Sequence, residues 1–303
     1  TVDQGPITIT ADKIRSRIGV DISDEKIVQM LEHLGFIIKQ ESGNLIITIP
    51  TWRATGDVSI PEDIIEEVAR MYGYDNIAIT FPQFPITPAP ASPLRDVKKH
   101  IKQLLAYESG YTEVYNYSFV SPEWLEKLGI GTEEYIELAH PLAKDRPFIR
   151  RGLIPNMLVG VESNLHRFES VRLFETGRGY KKEQQGELAH PDGDAYLPGQ
   201  DEYLGMVYSQ KGVDTPFFEL SDSLRFVADR LGLSVSFESV QDGKEYLHGG
   251  RHADVFFNDV LVGFVAELHP VTQKAVGIPY RTAVLEINLS VFAPFVKDRI
   301  AYT

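Results

Sequence analysis

The chain has 303 residues, 43% of them hydrophobic, which is enough to bury two cores, since single domains most often run about 100–200 residues. No run of about 18 apolar residues and no charged-then-apolar leader is present, so a soluble protein is expected rather than a membrane protein, and the lack of cysteine fits a reducing cytoplasm. The absence of cysteine removes disulfides, thiolate nucleophiles and thiolate zinc sites, and a formal charge of −13 disfavours a surface devoted to phosphate contacts.

Residues 7–10 read as a short strand and 11–17 as a short helix. Ser23 or Asp24 caps a second helix that carries Ile27, Met30, Leu31 and Leu34 at helical spacing and stops at Gly35. Strands at 36–40 and 45–50 flank Ser42-Gly43-Asn44, a three-residue hairpin signal, and a third helix follows at about 61–71. Prolines 82, 85, 88, 90 and 93 then mark a stiff linker. Ser92-Pro93 opens a helix whose apolar face (Leu94, Val97, Ile101, Leu104, Leu105) runs to Gly110. Beyond it, 112–120 reads as an aromatic-rich strand, 153–165 and 216–231 as helices, and 171–176, 204–209, 235–238, 253–257, 260–267 and 282–288 as strands. The polar stretch 184–200 reads as a long exposed loop.

Regular βαβ alternation is missing, so the expected fold class is α+β. A small winged-helix-like module over 1–80 precedes the linker at 81–93, an antiparallel sheet flanked by helices over 94–292, and a tail at 293–303. The start at Thr1 suggests a chain cut from something longer.

The stretch Pro50-Thr51-Trp52-Arg53 is followed by Asp57, Asp63, Glu66 and Glu67. Helical spacing puts Asp63, Glu66 and Glu67 on one side, with Asp57 arriving from the preceding turn. Two readings stay open on these residues alone: a hard-cation site suited to magnesium, or first-turn acids favoured by the helix dipole. Trp52, Tyr72 and Tyr74 can stack on bases or belong to a core.

Pro-x-Trp-Arg, the spaced acids and the string from Glu66 to Ile77 (EEVARMYGYDNI) resemble one module of the beta subunits of bacterial-type phenylalanyl-tRNA synthetase. His140-Pro141-Leu142, Arg151-x-Leu153-x-Pro155, Asn164, Leu173-Phe174-Glu175-Thr176-Gly177-Arg178, Tyr246-Leu247-His248, Arg251, Val262-Gly263 and Glu267-Leu268-His269-Pro270 continue the resemblance, which covers nearly all of residues 7–290 as the central part of such a subunit. Gly249 departs from it, since the family commonly has proline there. The resemblance implies a class II synthetase-like second domain without an aminoacylation site, and an alpha subunit as partner in an alpha2 beta2 heterotetramer. It also implies tRNA and ATP in the full complex and Mg2+ held by Asp57, Asp63, Glu66 and Glu67. The family's editing domain and C-terminal anticodon-binding domain would lie outside this sequence.

The chain's own residues agree with a noncatalytic role. Class II synthetases read ATP with an arginine and a glutamate two apart on one strand, whereas Arg172 and Glu175 are three apart and would leave opposite faces. Neither a P-loop nor GxGxxG replaces them. His248 and His252 with Asp254 invite a metal only superficially, because Gly249-Gly250 argues against helix. Ser118 and Ser121 have no base and acid partners, and Glu175 with Glu267 reads as structural rather than as a catalytic pair. A competing reading, a tRNA-binding module, meets seven Lys or Arg against thirteen acids in residues 1–80, although Lys13, Arg15 and Arg17 leave room for a weak contact. A self-sufficient enzyme would need ATP or amino acid to bind the isolated chain, and the motif register argues against the nucleotide machinery.

Overall fold

The structure, a computed structural model, describes residues 5–240 and 243–296. It divides into two compact units, residues 1–88 and 89–303, and the division falls in a stretch, 78–92, without regular secondary structure. The expected tail at 293–303 lies outside the described residues beyond residue 296.

The first unit runs β1 (Ile7–Ile9), α1 (Ala11–Ile18), α2 (Asp24–His33), β2 (Ile37–Glu41), β3 (Asn44–Thr48) and α3 (Pro61–Tyr72), with its three strands in the antiparallel order β1-β3-β2. Thr10 and Ser23 hydroxyls accept the N–H groups of Lys13 and Lys26, capping α1 and α2 where free donors would otherwise be left. Of the positions read as one face of α2, Ile27, Met30 and Leu31 are buried and Leu34 partly so, and Ile27 and Leu31 pack fully buried with Ile14, Ile47, Ile64 and Val68. The hairpin is tighter than its composition suggested. Glu41 pairs with Asn44, so only Ser42 (φ 49°) and Gly43 (φ 81°) form the turn, both in the left-handed region that a two-residue hairpin of strand-matching twist demands.

The second unit begins with α4 (Pro93–Gln103), extended by a π-turn at Leu104–Glu108, and continues through β4 (Thr112–Glu113), β5 (Phe119–Val120), α5 (Pro122–Lys127), β6 (Ile136–Glu137), β7 (Phe148–Ile149) and α6 (Ile154–Leu165). It ends with β8 (Ser170–Leu188), β9 (Tyr196–Gln210), α7 (Pro216–Leu231), β10 (Val235–Ser239), β11 (Leu247–Phe257), β12 (Val260–Leu268), α8 (Pro270–Ala275), β13 (Thr282–Asn288) and α9 (Leu289–Phe292). Seven strands form one sheet in the order β10-β11-β12-β13-β9-β8-β4, and β5-β7-β6 form a small separate one. Alternation splits the core in two. Val171, Leu173, Val207 and Val284 lie under Met157, Leu158 and Val161 of α6. Phe174, Met206, Val255 and Leu285 lie under Leu220, Leu224 and Val227 of α7 and under Val97 and Ile101 of α4.

Three expectations need correction. The sheet is antiparallel except at its edge, where β4 pairs parallel with β8. The strand read at 112–120 is two fragments, because its middle, residues 114–118, leaves the ladder and Asn116 turns to a buried carboxylate. The loop read at 184–200 is largely the far end of the β8–β9 hairpin, with only 189–195 outside strands. Its residues are mostly exposed, so no face is dry and no apolar alternation marks the ribbon.

Candidate functional site

The acids expected to gather in the first unit are distributed among other partners. Glu67, 4% exposed, takes Arg53 Nη2 on Oε1 at 2.8 Å and the guanidinium of Arg70 on Oε2, while Arg53 Nε turns to Asp57. Asp63 Oδ2 accepts the N–H groups of Ser59 (2.7 Å) and Ile60 (2.9 Å), closing the N-terminus of α3. Glu66 is exposed and makes no hydrogen bond or ion pair among the described residues. Among those residues no three Asp, Glu or His side chains converge. As arranged, the four carboxylates do not fit a preformed magnesium cage, which requires oxygens about 2.0–2.1 Å from one point.

The electrostatics follow from these partners. Burial alone would raise the Glu67 carboxyl, but the hydrogen bonds from Arg53 and Arg70 outweigh it and hold the group below the usual carboxylate range. The N–H groups of Ser59 and Ile60 likewise hold Asp63 low. The aromatic residues nearby do not share one fate. Trp52 is 71% exposed with its ring edge against Gly35, and Tyr74 is also exposed, whereas Tyr72 packs partly buried against the core under the ammonium of Lys26.

In the second unit the two glutamates weighed as a catalytic pair lie on opposite faces of the sheet, each held by its own cations. Glu175 on β8 meets Arg150 Nη1 at 2.7 Å and Asn116 Nδ2 at 2.6 Å; glutamate and arginine are 1% and 4% exposed. Arg150 Nε also donates to the carbonyl of Arg178 at 2.8 Å. Its guanidinium occupies the space above Gly177, where a Cβ would come within 2.3 Å of Nη2. Glu267 on β12 is 2% exposed and takes Arg281 in a fork, Nε on Oε2 at 3.0 Å and Nη2 on Oε1 at 2.8 Å, and Arg251 Nη1 on Oε2 at 3.3 Å. Arg172 leaves the face opposite Glu175, its guanidinium 4.7 Å from the centre of the Tyr208 ring.

Sequence reasoning passed over Arg150 and Arg281, whose carboxylate partners are 25 and 14 residues away. Two adjacent arginines at 150–151, beside the apolar run of α6, were the available signal. The remaining candidates resolve as structure. His248 and His252 stand on β11, the first accepting the Gly250 N–H and the second buried beside Phe264. The Ser118 carbonyl accepts the Arg150 N–H, and Ser121 precedes α5.

The sequence family described as the phenylalanyl tRNA synthetase beta chain CLM domain matches residues 77–289, and the tRNA synthetase B5 domain matches residues 7–74. The phenylalanine–tRNA ligase beta subunit of Staphylococcus epidermidis is 35% identical over 93% of this chain and 35% of its own length. That of Bacillus subtilis is 30% identical over 100% of this chain and 37% of its own. The chain therefore spans little more than a third of these relatives. Among solved structures, a pyrrolysyl-tRNA synthetase of Desulfitobacterium hafniense matches with a TM-score of 0.52 at 18% identity, over 67% of this chain and 68% of that one, a likeness of fold. With both domains matched in order and a relative 35% identical along nearly the whole sequence, the chain belongs to the phenylalanine–tRNA ligase beta subunit family.

Proposed function

We propose that this chain is a noncatalytic portion of a phenylalanine–tRNA ligase, supporting a catalytic alpha subunit that attaches phenylalanine to its tRNA with ATP. The observation that carries the reading is the separation of Arg172 and Glu175. One lies over Tyr208 and the other is locked to Arg150 and Asn116, so neither is available to a nucleotide on a shared face. An exposed aromatic set beside the short edge strand β4 (Tyr107, Tyr115 and Tyr117, all more than 70% exposed) supports a partner surface on the second unit. Association into an alpha2 beta2 assembly, placement in the cytoplasm and contact with tRNA belong to this proposal.

Magnesium ligation by Asp57, Asp63, Glu66 and Glu67 is proposed only for the assembled ligase, because the arginine pairs on Asp57 and Glu67 must open before those oxygens can face an ion. A tRNA-binding role for the first unit has little support: Lys13 pairs with Glu62, and Arg15 with Asp12 and Asp24. The test is phenylalanine-dependent ATP–pyrophosphate exchange, measured on this chain alone and with a cognate alpha subunit. Exchange only in the mixture is expected, and exchange by the chain alone would overturn the proposal.

A further inference from the structure

Beside the start of α6 the second unit opens into a cleft of about 670 Å³, within the range of about 300–1,000 Å³ typical of small-ligand sites. Four acids and three bases line it: Glu133, Glu134, Glu245 and Glu286 against Arg151, Lys181 and Lys244. Two of the bases are already neutralised. Arg151 donates to both carboxylate oxygens of Glu183 at 2.8 Å and meets Glu134 at 3.2 Å, and Lys181 meets Asp201 at 2.9 Å. Glu133, Glu245 and Glu286 have no cation partner among the described residues, which leaves three carboxylates against the one ammonium of Lys244. That ammonium lies over the Phe264 ring, 4.3 Å from its centre.

The three carboxylates stand at two walls. Oε2 of Glu133 and of Glu245 lies beside Gly131 and Gly129, whereas Glu286 of β13 lies beside Gly152, where a Cβ would come within 2.5 Å of Oε1. Glu286 Oε2 accepts the Leu153 N–H at 2.5 Å and is otherwise without a donor. Two tyrosines add polar atoms to the same space. Tyr135 and Tyr246 are 6% and 5% exposed, both line the cleft, and neither hydroxyl has a hydrogen-bond partner among the described residues. Burial pushes both hydroxyls up, Tyr135 to about 12, and the charge of Glu286 adds to each shift, which sets both hydroxyls toward that carboxylate.

A buried carboxylate and two idle phenol oxygens call for a donor that carries positive charge. Among the described residues no three acidic or histidine side chains converge on one point, so the arrangement does not suit a compact metal ion. A flexible cation with its charges spread along an apolar stem suits it better, because each end meets a different wall while the methylenes lie on aromatic rings. We propose that this cleft binds a linear aliphatic polyamine, one ammonium on Glu286 and the Tyr135 and Tyr246 hydroxyls and another at Glu133 and Glu245. The site takes no part in the scaffold reading and does not depend on it.

The whole chain is titrated calorimetrically with spermidine and with butylamine at about 0.15 M salt, where loose attraction to an acidic surface is screened. Saturable binding of spermidine is expected, with butylamine at least about tenfold weaker, the loss that one charged hydrogen bond carries. Glu286→Gln, which still offers an acceptor to Leu153, lowers spermidine affinity by about tenfold, and Glu245→Gln, at an exposed position with little influence on folding, lowers it as well. Asp259→Asn makes the same change of charge in the exposed turn between β11 and β12, outside the cleft, and leaves the affinity unchanged. Absence of saturable spermidine binding, equal affinity for butylamine, or an equal loss in Glu245→Gln and Asp259→Asn would overturn the assignment.

Discussion

The two units solve the same problem, a buried glutamate, in different surroundings. Glu67 in the first unit is held by Arg53 and Arg70, whose side chains are 23% and 49% exposed, so water shares in neutralising the charge. Glu175 in the second is held by Arg150 with both side chains at most 5% exposed, and Asn116 and the Arg178 carbonyl complete the shell. Breaking a pair is costly when the surviving ion cannot reach solvent and modest when it can. The glutamate of the second unit is therefore enclosed by its partners, whereas that of the first is paired with arginines that water reaches.

Breaking the dry pair gives the largest expected effect. Arg150→Met leaves Glu175 buried without its cation and lowers stability by about 3–5 kcal/mol, read by denaturant unfolding. Gly177→Ala tests the same pair from outside by pressing a methyl group on the guanidinium. A loss of about 1–3 kcal/mol is expected, with little added on top of Arg150→Met, because the clash partner is then gone. In the wetter unit, Asp63→Ala removes the acceptor for Ser59 and Ile60 and costs about 1 kcal/mol through the start of α3.

The pH dependence sharpens the contrast. Glu67 and Asp63 both titrate below their ordinary range when folded. Their contribution is present above the unfolded carboxylate values, about 4, and is lost as pH falls through the folded ones. Unfolding free energies measured from pH 7 to pH 3 should fall less steeply for Glu67→Gln than for the parent chain.

Legibility in the sequence followed the same division. Helices with one apolar stripe, such as α2 with Ile27, Met30 and Leu31, were plain because burial repeats at the helical period. The distal β8–β9 ribbon was not, since strands wet on both faces leave no such pattern. Spacing put Asp63, Glu66 and Glu67 on one helix, yet it could not reveal that Arg53, ten or more residues earlier, and the turn at Ser59 and Ile60 would claim two of them. The Arg172–Glu175 register was readable because alternation along a strand is fixed by the backbone. The partners that lock Glu175 come from outside its own strand and become visible only once the chain is folded.

Co-purification of this chain with a cognate alpha subunit, with and without Asp63→Ala plus Glu66→Ala, tests the proposed partnership. A stable complex is predicted, weakened by the double substitution if those acids stand at the junction. Failure of the parent chain to associate with the alpha subunit would contradict it.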